Sequence, residues 1–170
     1  ADYGYREVGQ EYLQNVLNTD KKLDTYDSGR IYYYLGDYQK AYLALEEAKG
    51  KGGVDSYLYL GKAYAATGDY NYASSVYSNY LSKQGPDAEI YNQLGLCELA
   101  KKDYQKALEA FQAGKQIEGN SLMQTLSFNE IVAYEYLQDY QKAAVLLKAY
   151  LQNYPDDQTA IREQQFLSTR

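Results

Sequence analysis

The sequence predicts an all-α fold, a solenoid of antiparallel helix pairs, on three observations. The pentapeptide DYQKA occurs at residues 37–41, 103–107 and 139–143, with a variant, DYNYA, at 69–73. The tyrosines of these phrases, Tyr38, Tyr70, Tyr104 and Tyr140, are 32, 34 and 36 residues apart. A period of that size marks stacked supersecondary units. Around each phrase, apolar and aromatic residues recur at intervals of three and four, the spacing of one helix face.

The elements follow in order. Residues 1–21 carry YGYREVGQEYLQNVLN, a solitary N-terminal helix or half-repeat, because Tyr5 lies 33 residues before Tyr38 and so takes a second-helix register. Residues 22–53 form the first pair, two residues shorter than the next, and end in GKGG, which is expected to fray. Residues 54–87 form the clearest pair. Tyr57, Leu60, Gly61 and Tyr64 line its first helix, and Tyr70, Ala73, Tyr77 and Tyr80 its second. Between them, Gly68 suits a helix C-terminus and Asp69 a cap. Residues 88–121 form the third pair and 122–157 the fourth, with Leu122 and Met123 as extra residues and Ser121 as candidate cap. Lys102 and Gln138 stand where the other turns hold glycine, which implies strain of about 1 kcal/mol or another geometry. Beyond Pro155, residues 158–170 read as a polar C-terminal capping helix.

These residues resemble the tetratricopeptide repeat family, whose pattern sets an aromatic, Leu-Gly and Tyr in the first helix, Gly-Asp-Tyr at the turn, then Ala and an aromatic. The second pair matches at Tyr57, Leu60, Gly61, Ala63, Tyr64, Gly68, Asp69, Tyr70, Ala73 and Tyr77. The third matches at Tyr91, Leu94, Gly95, Asp103, Tyr104, Ala107 and Phe111. The fourth matches at Ala133, Tyr134, Asp139, Tyr140, Ala143 and Pro155, and the first at Gly29, Tyr32, Gly36, Asp37, Tyr38, Ala41 and Ala48. The likeness covers about four-fifths of the chain. It implies a right-handed superhelix whose concave surface, lined by the first helices, holds a partner segment. By register that surface carries Tyr26, Arg30, Tyr33, Tyr34, Leu58, Lys62, Asn92, Leu96, Phe128, Glu135 and Tyr136. None of these is demanded by the repeat pattern. The family's clamp for a C-terminal carboxylate is not expected, because its positions hold Tyr26, Arg30, Tyr59, Glu89 and Gln93, one cation beside an acid.

Composition narrows the chemistry. Histidine is absent and Cys97 is the single cysteine, which removes disulfide frameworks, the usual zinc sites and histidine-based triads. Cys97 reads as a small buried residue of a first helix. Adjacent carboxylates such as Glu46 and Glu47 diverge by about 100° on a helix and do not converge on a substrate. A net charge of −6 disfavours nucleic acid. Tyrosine is in surplus, 23 against three phenylalanines and no tryptophan. Ten of these tyrosines fall on repeat positions, where a half-buried ring with a hydroxyl at its rim is useful.

The expected function is a non-enzymatic scaffold that binds a protein or peptide in the groove, with no cofactor and no metal. A self-associating structural module and a glycan-binding module of the cell envelope are the alternatives. The tyrosine-rich, histidine-free composition and a start at Ala1 suggest an exported or membrane-anchored bacterial protein, with a cytoplasmic one as the other possibility.

Overall fold

Each of the four repeated phrases opens a helix, and in each the aspartate is the cap. Its carboxylate accepts the backbone N–H three residues on: Asp37 from Lys40 at 3.3 Å, Asp69 from Tyr72 at 3.0 Å, Asp103 from Lys106 at 3.4 Å, and Asp139 from Lys142 at 3.0 Å. This satisfies one of the amide donors that a helix start leaves unpaired. The aspartate's own N–H closes the preceding helix by donating to the carbonyl of Tyr32, Tyr64, Glu98 or Tyr134. Such a bond requires a left-handed residue just before it. Gly36 and Gly68 supply one at φ of 80° and 85°, and Lys102 and Gln138 adopt the same conformation at 64° and 62°. All four turns therefore share one geometry, and two of them carry strain of about 1 kcal/mol. In two of the phrases the exposed lysine folds back on its own cap, with Lys40 Nζ 2.7 Å from Asp37 and Lys106 Nζ 2.8 Å from Asp103.

The protein, seen in a computed structural model, is described over residues 3–19 and 22–169. The expected boundary at residue 21 lies outside the described residues. Among these there are ten α-helices and no strand, the all-α solenoid class expected from the sequence. They belong to two compact units, Ala1–Tyr80 and Leu81–Arg170.

The first unit holds α1 (Tyr3–Thr19), α2 (Thr25–Leu35), α3 (Tyr38–Glu47), α4 (Val54–Ala66) and most of α5 (Tyr70–Gln84). Here α1 packs on α2, α2 on α3 and α4, and α3 on α4. Ala41, Leu45, Leu60, Ala63 and Val76 form a core beneath a shell of half-buried tyrosines. Instead of fraying, the GKGG segment is tied down. Gly50 N–H donates to Ser56 Oγ at 3.2 Å, Ser56 Oγ donates to the Gly53 carbonyl at 2.9 Å, and the Tyr26 ring lies against Gly52.

The second unit holds α6 (Ala88–Ala100), α7 (Tyr104–Lys115), α8 (Met123–Tyr136), α9 (Tyr140–Asn153) and α10 (Gln158–Leu167), each packed on the next. Its core has one cluster around Phe111 and Leu126 and another around Ile131, Leu147 and Tyr150, which α10 joins through Ala160 and Leu167. Ser121 does not cap α8. The position falls to Leu122, which makes no side-chain cap bond, and Asn120 Oδ1 accepts the Leu122 N–H at 3.1 Å. At the end of the chain Asp157 caps α10, accepting from Thr159 N–H at 3.0 Å and Ala160 N–H at 3.1 Å.

Glycine sets how closely the paired helices approach. A Cβ on Gly29 would strike Leu45, one on Gly61 the Tyr77 ring, and one on Gly95 the Phe111 ring. In the fourth pair the corresponding residues are Ile131 and Leu147, which share one core cluster. Of the ten repeat-position tyrosines, Tyr77 is fully buried, eight are half-buried and Tyr70 is exposed. Their rings fill the margins of the core more than its centre.

Candidate functional site

On α2 the residues Tyr26, Arg30, Tyr33 and Tyr34 lie at helical spacings of four, three and one, and they meet Tyr59 of α4. The Arg30 guanidinium lies over two rings, 5.3 Å from the Tyr26 centroid and 5.5 Å from that of Tyr59. Asp27 reaches it at 3.5 Å from one helical turn earlier. The Tyr33 ring meets those of Tyr34, Tyr38 and Tyr59 at 5.7, 5.6 and 5.4 Å. The Tyr34 and Tyr59 rings are 5.8 Å apart with their hydroxyls 2.5 Å apart. Edge-on pairs of this kind contribute about 0.5–1.5 kcal/mol each beyond simple burial. The group is thus a connected, rigid platform, and Tyr34 keeps 56% of its surface open.

Ionisation of Tyr33 and Tyr34 is opposed. The hydrogen bond that Tyr34 shares with Tyr59, followed by burial, raises its pKa above the usual phenol value, and burial raises that of Tyr33. The Tyr33 and Tyr34 hydroxyls are neutral at physiological pH and can both donate and accept. What the platform offers a ligand is apolar ring area, phenol hydroxyls and one guanidinium.

The other expected residues of this unit differ. Lys62 is half-buried, whereas Leu58 is only 9% exposed and its carbonyl accepts the Tyr77 hydroxyl at 3.4 Å. Leu58 is a core residue with little surface to offer. Tyr59 fills the space that the repeat register assigned to it. It lies on the stripe Asp55, Tyr59, Lys62, Ala66, and that spacing of four, three and four is legible in the sequence.

In the second unit the expected residues are spread out. Asn92 is buried and accepts from Asn129 Nδ2 at 2.9 Å, while Leu96 is exposed. Phe128 packs on the Tyr150 ring at 5.6 Å and borders a crevice of about 290 Å³ with Gln124, Thr125, Asn129 and Asp157. The Tyr150 hydroxyl donates to Asp157 Oδ2 at 2.6 Å, which helps to hold that carboxyl below the usual range. Tyr136 is exposed at its rim and stacked on Tyr104 at 4.9 Å. Glu135 is half-buried, and burial followed by the Glu163 carboxyl raises its pKa to about 7. The sequence reading did not select Asn129, Tyr150 or Glu163.

Cys97 is 4% exposed, and burial, then Glu98, pushes its thiol up to about 12. A thiol in that state is a packing residue, since thiolate is the nucleophilic form.

Comparison with known proteins bears on this arrangement. Two tetratricopeptide repeat models match the chain, one over residues 58–121 and the other over residues 128–157, together more than half of it. The chain is 28% identical to tetratricopeptide repeat protein 21B of Xenopus laevis over 153 residues, which is 89% of this chain but only 10% of that protein. Among solved structures, MamA superposes with a TM-score of 0.73 at 21% identity, covering 84% of this chain and 78% of that one. YrrB, described as a tetratricopeptide repeat protein with an unusual peptide-binding site, gives 0.70 at 20% identity, covering 95% and 84%. The second such domain of human RPAP3, solved with an HSP70 peptide, gives 0.58 at 16% identity, covering 65% and 90%. At these identities the structural likeness is one of fold. Together with the repeated caps, turns and glycine contacts, the sequence matches establish that the chain belongs to the tetratricopeptide repeat family.

Proposed function

We propose that the protein is a non-enzymatic interaction scaffold that holds a segment of a partner protein, and that the Arg30–tyrosine platform is its main contact surface. One observation carries this reading. Tyr34 is largely open while Tyr33 and Tyr59 hold it in place and Arg30 lies over the Tyr59 ring, although the repeat pattern requires none of them. Rigid aromatic residues and arginine are the usual anchors of protein interfaces, because little entropy is lost when they are covered. The peptide-bound state of RPAP3 and the peptide-binding site named for YrrB are consistent with this use of the fold. The test is capture from source-cell extract by wild type beside a Tyr33→Ala, Tyr34→Ala variant that circular dichroism shows to be folded. A protein held by wild type and lost by the variant supports the assignment. Equal capture by both removes the platform from it.

A second reading, self-association, is favoured by α1. Val8 and Tyr12 lie one turn apart on this helix and are 67% and 68% exposed. Light scattering of wild type and a Val8→Ser, Tyr12→Ser variant decides it. A concentration-dependent oligomer abolished by the variant supports self-association, and a monomer throughout overturns it.

A further inference from the structure

The crevice beside Phe128 belongs wholly to the second unit. Phe128 and Asn129 of α8 line it together with Tyr150 of α9 and with Asp157 and Thr159 at the start of α10. Its volume of about 290 Å³ falls at the lower edge of the 300–1,000 Å³ or so usual for a drug-sized ligand and suits one long side chain. Phe128 and Tyr150 give it an apolar wall, their ring centroids 5.6 Å apart. Among the described residues that line it there is neither lysine nor arginine, and Asp157 is the one acidic side chain.

The walls have committed their donors and kept acceptors. The Tyr150 hydroxyl donates to Asp157 Oδ2 at 2.6 Å, and Asn129 Nδ2 donates to Asn92 Oδ1 at 2.9 Å. The N–H groups of Thr159 and Ala160 both donate to Asp157 Oδ1, at 3.0 and 3.1 Å. A carboxylate offers about four acceptor positions, and these bonds fill three of them. The position left belongs to Oδ2, and Asn129 keeps its Oδ1 as a second acceptor.

The charge is uncompensated as well. Asp37 and Asp103 are held ionised chiefly by Lys40 and Lys106. Asp157 is held ionised by neutral donors alone, first the Tyr150 hydroxyl, then the amides of Ala160 and Thr159, with the exposed Gln124 contributing least. Its negative charge therefore faces the crevice without a cation to cancel it.

A ligand matched to these walls has a positive head, donors without acceptors, and an apolar stem. An ammonium carries three donors and no acceptor, and a guanidinium five. In lysine and arginine each ends an apolar stem that lies readily along aromatic rings. We propose that the crevice receives a lysine or arginine side chain of a partner segment, with its head at Asp157 Oδ2, its stem along Phe128, and its adjoining peptide groups at Thr125 and Asn129. The net charge of −6 favours the approach of such a basic segment. The assignment does not depend on the tyrosine platform, which lies in the first unit.

Nuclear magnetic resonance titration of the full, nitrogen-15-labelled chain tests it. The probes are the acetylated and amidated tripeptides Ala-Lys-Ala, Ala-Arg-Ala and Ala-citrulline-Ala, the last with a neutral urea in place of the guanidinium. Saturable shifts at Thr125, Asn129 and Thr159 are expected with the two basic peptides, and an affinity at least about tenfold lower with the citrulline peptide. Asp157→Asn, which retains a good capping side chain, is expected to weaken the basic peptides about tenfold in a chain whose spectrum remains folded. Asp139→Asn, which removes an equal charge from a cap outside the crevice, is expected to leave them unchanged. Equal binding of the arginine and citrulline peptides overturns the proposal, as does an Asp157→Asn chain that binds like wild type. Absence of shifts at these residues up to about 20 mM peptide does so too. Butylammonium, the bare head and stem, is titrated alongside. If it binds as tightly as the lysine peptide, the crevice is a site for a free amine and the assignment to a partner's side chain fails.

Discussion

The hydroxyls of Tyr34 and Tyr59 lie 2.5 Å apart, joining two helices through residues that the repeat pattern does not require. Because this bond is the larger cause of the raised Tyr34 pKa, Tyr59→Phe is expected to lower it toward the ordinary phenol value. Ultraviolet difference titration of the variant against wild type measures this. The same variant should weaken partner capture by less than Tyr34→Ala, because its ring remains.

Gly61 and Gly95 are packing positions. Alanine at either would force its Cβ into the Tyr77 or Phe111 ring, neither of which can withdraw from a core it fills. Gly61→Ala and Gly95→Ala are each expected to destabilise by about 1–3 kcal/mol, read from denaturant midpoints. Gly9, with nothing near its Cβ, is the control, and Gly9→Ala should be neutral or slightly stabilising.

Strain at two turns can be relieved. Lys102→Gly and Gln138→Gly keep the left-handed turn at φ of 64° and 62° without the penalty of a side chain. Each should stabilise by roughly 0.5–1 kcal/mol after the entropy glycine adds to the unfolded chain. Gly68→Ala, in the same conformation, should move the melting temperature the other way.

The caps predict acid sensitivity. The carboxyls of Asp37, Asp103 and Asp157 are held below their usual range, the first two chiefly by their lysines and the third chiefly by the Tyr150 hydroxyl. A depressed folded value means the contribution is present above the ordinary carboxylate pKa and is lost as pH falls through the folded one. Thermal stability should therefore drop below about pH 4. Asp157→Ala should cost about 0.5–2 kcal/mol at neutral pH, since it uncaps α10 and removes the carboxylate that accepts the Tyr150 hydroxyl.

Cys97 should be silent in the native protein. Burial and a thiol pKa of about 12 predict slow reaction with a thiol-specific chromogenic reagent at pH 8, rising to the free-thiol rate in denaturant. Fast native labelling would contradict the packing described for α6.

Much of the fold was legible because its signals are local. An aspartate followed by a tyrosine fixes a cap and a helix start within four residues, and the period repeats that signal down the chain. The turns at Lys102 and Gln138 show the limit of this logic. The tertiary contacts on both sides hold the left-handed conformation even without glycine, so two strained turns keep the common geometry. The platform was half legible. Repeat register puts Tyr26, Arg30, Tyr33 and Tyr34 on one face of α2, but the residue facing them depends on the rotation of α4. That rotation is set by Gly61 against Tyr77 and buries Leu58 while turning Tyr59 toward α2. Ala160 and Leu167 join the capping helix to the core of the fourth pair, and a single-repeat pattern carries no information about such a meeting.

The glycine–ring contacts bear on how so repetitive a chain avoids misassembly. Nearly identical phrases invite a helix to dock on the wrong neighbour or on another molecule's copy. The seats are not interchangeable, however: Gly61 receives a tyrosine and Gly95 a phenylalanine, whereas the fourth pair sets Ile131 beside Leu147. A first helix from the fourth pair would set Ile131 where a glycine stands in the others, and would collide with Leu45, Tyr77 or Phe111. The fourth pair thus carries an address of its own, written in side-chain volume, and a shuffled first helix from it should assemble only against a partner that leaves room for Ile131.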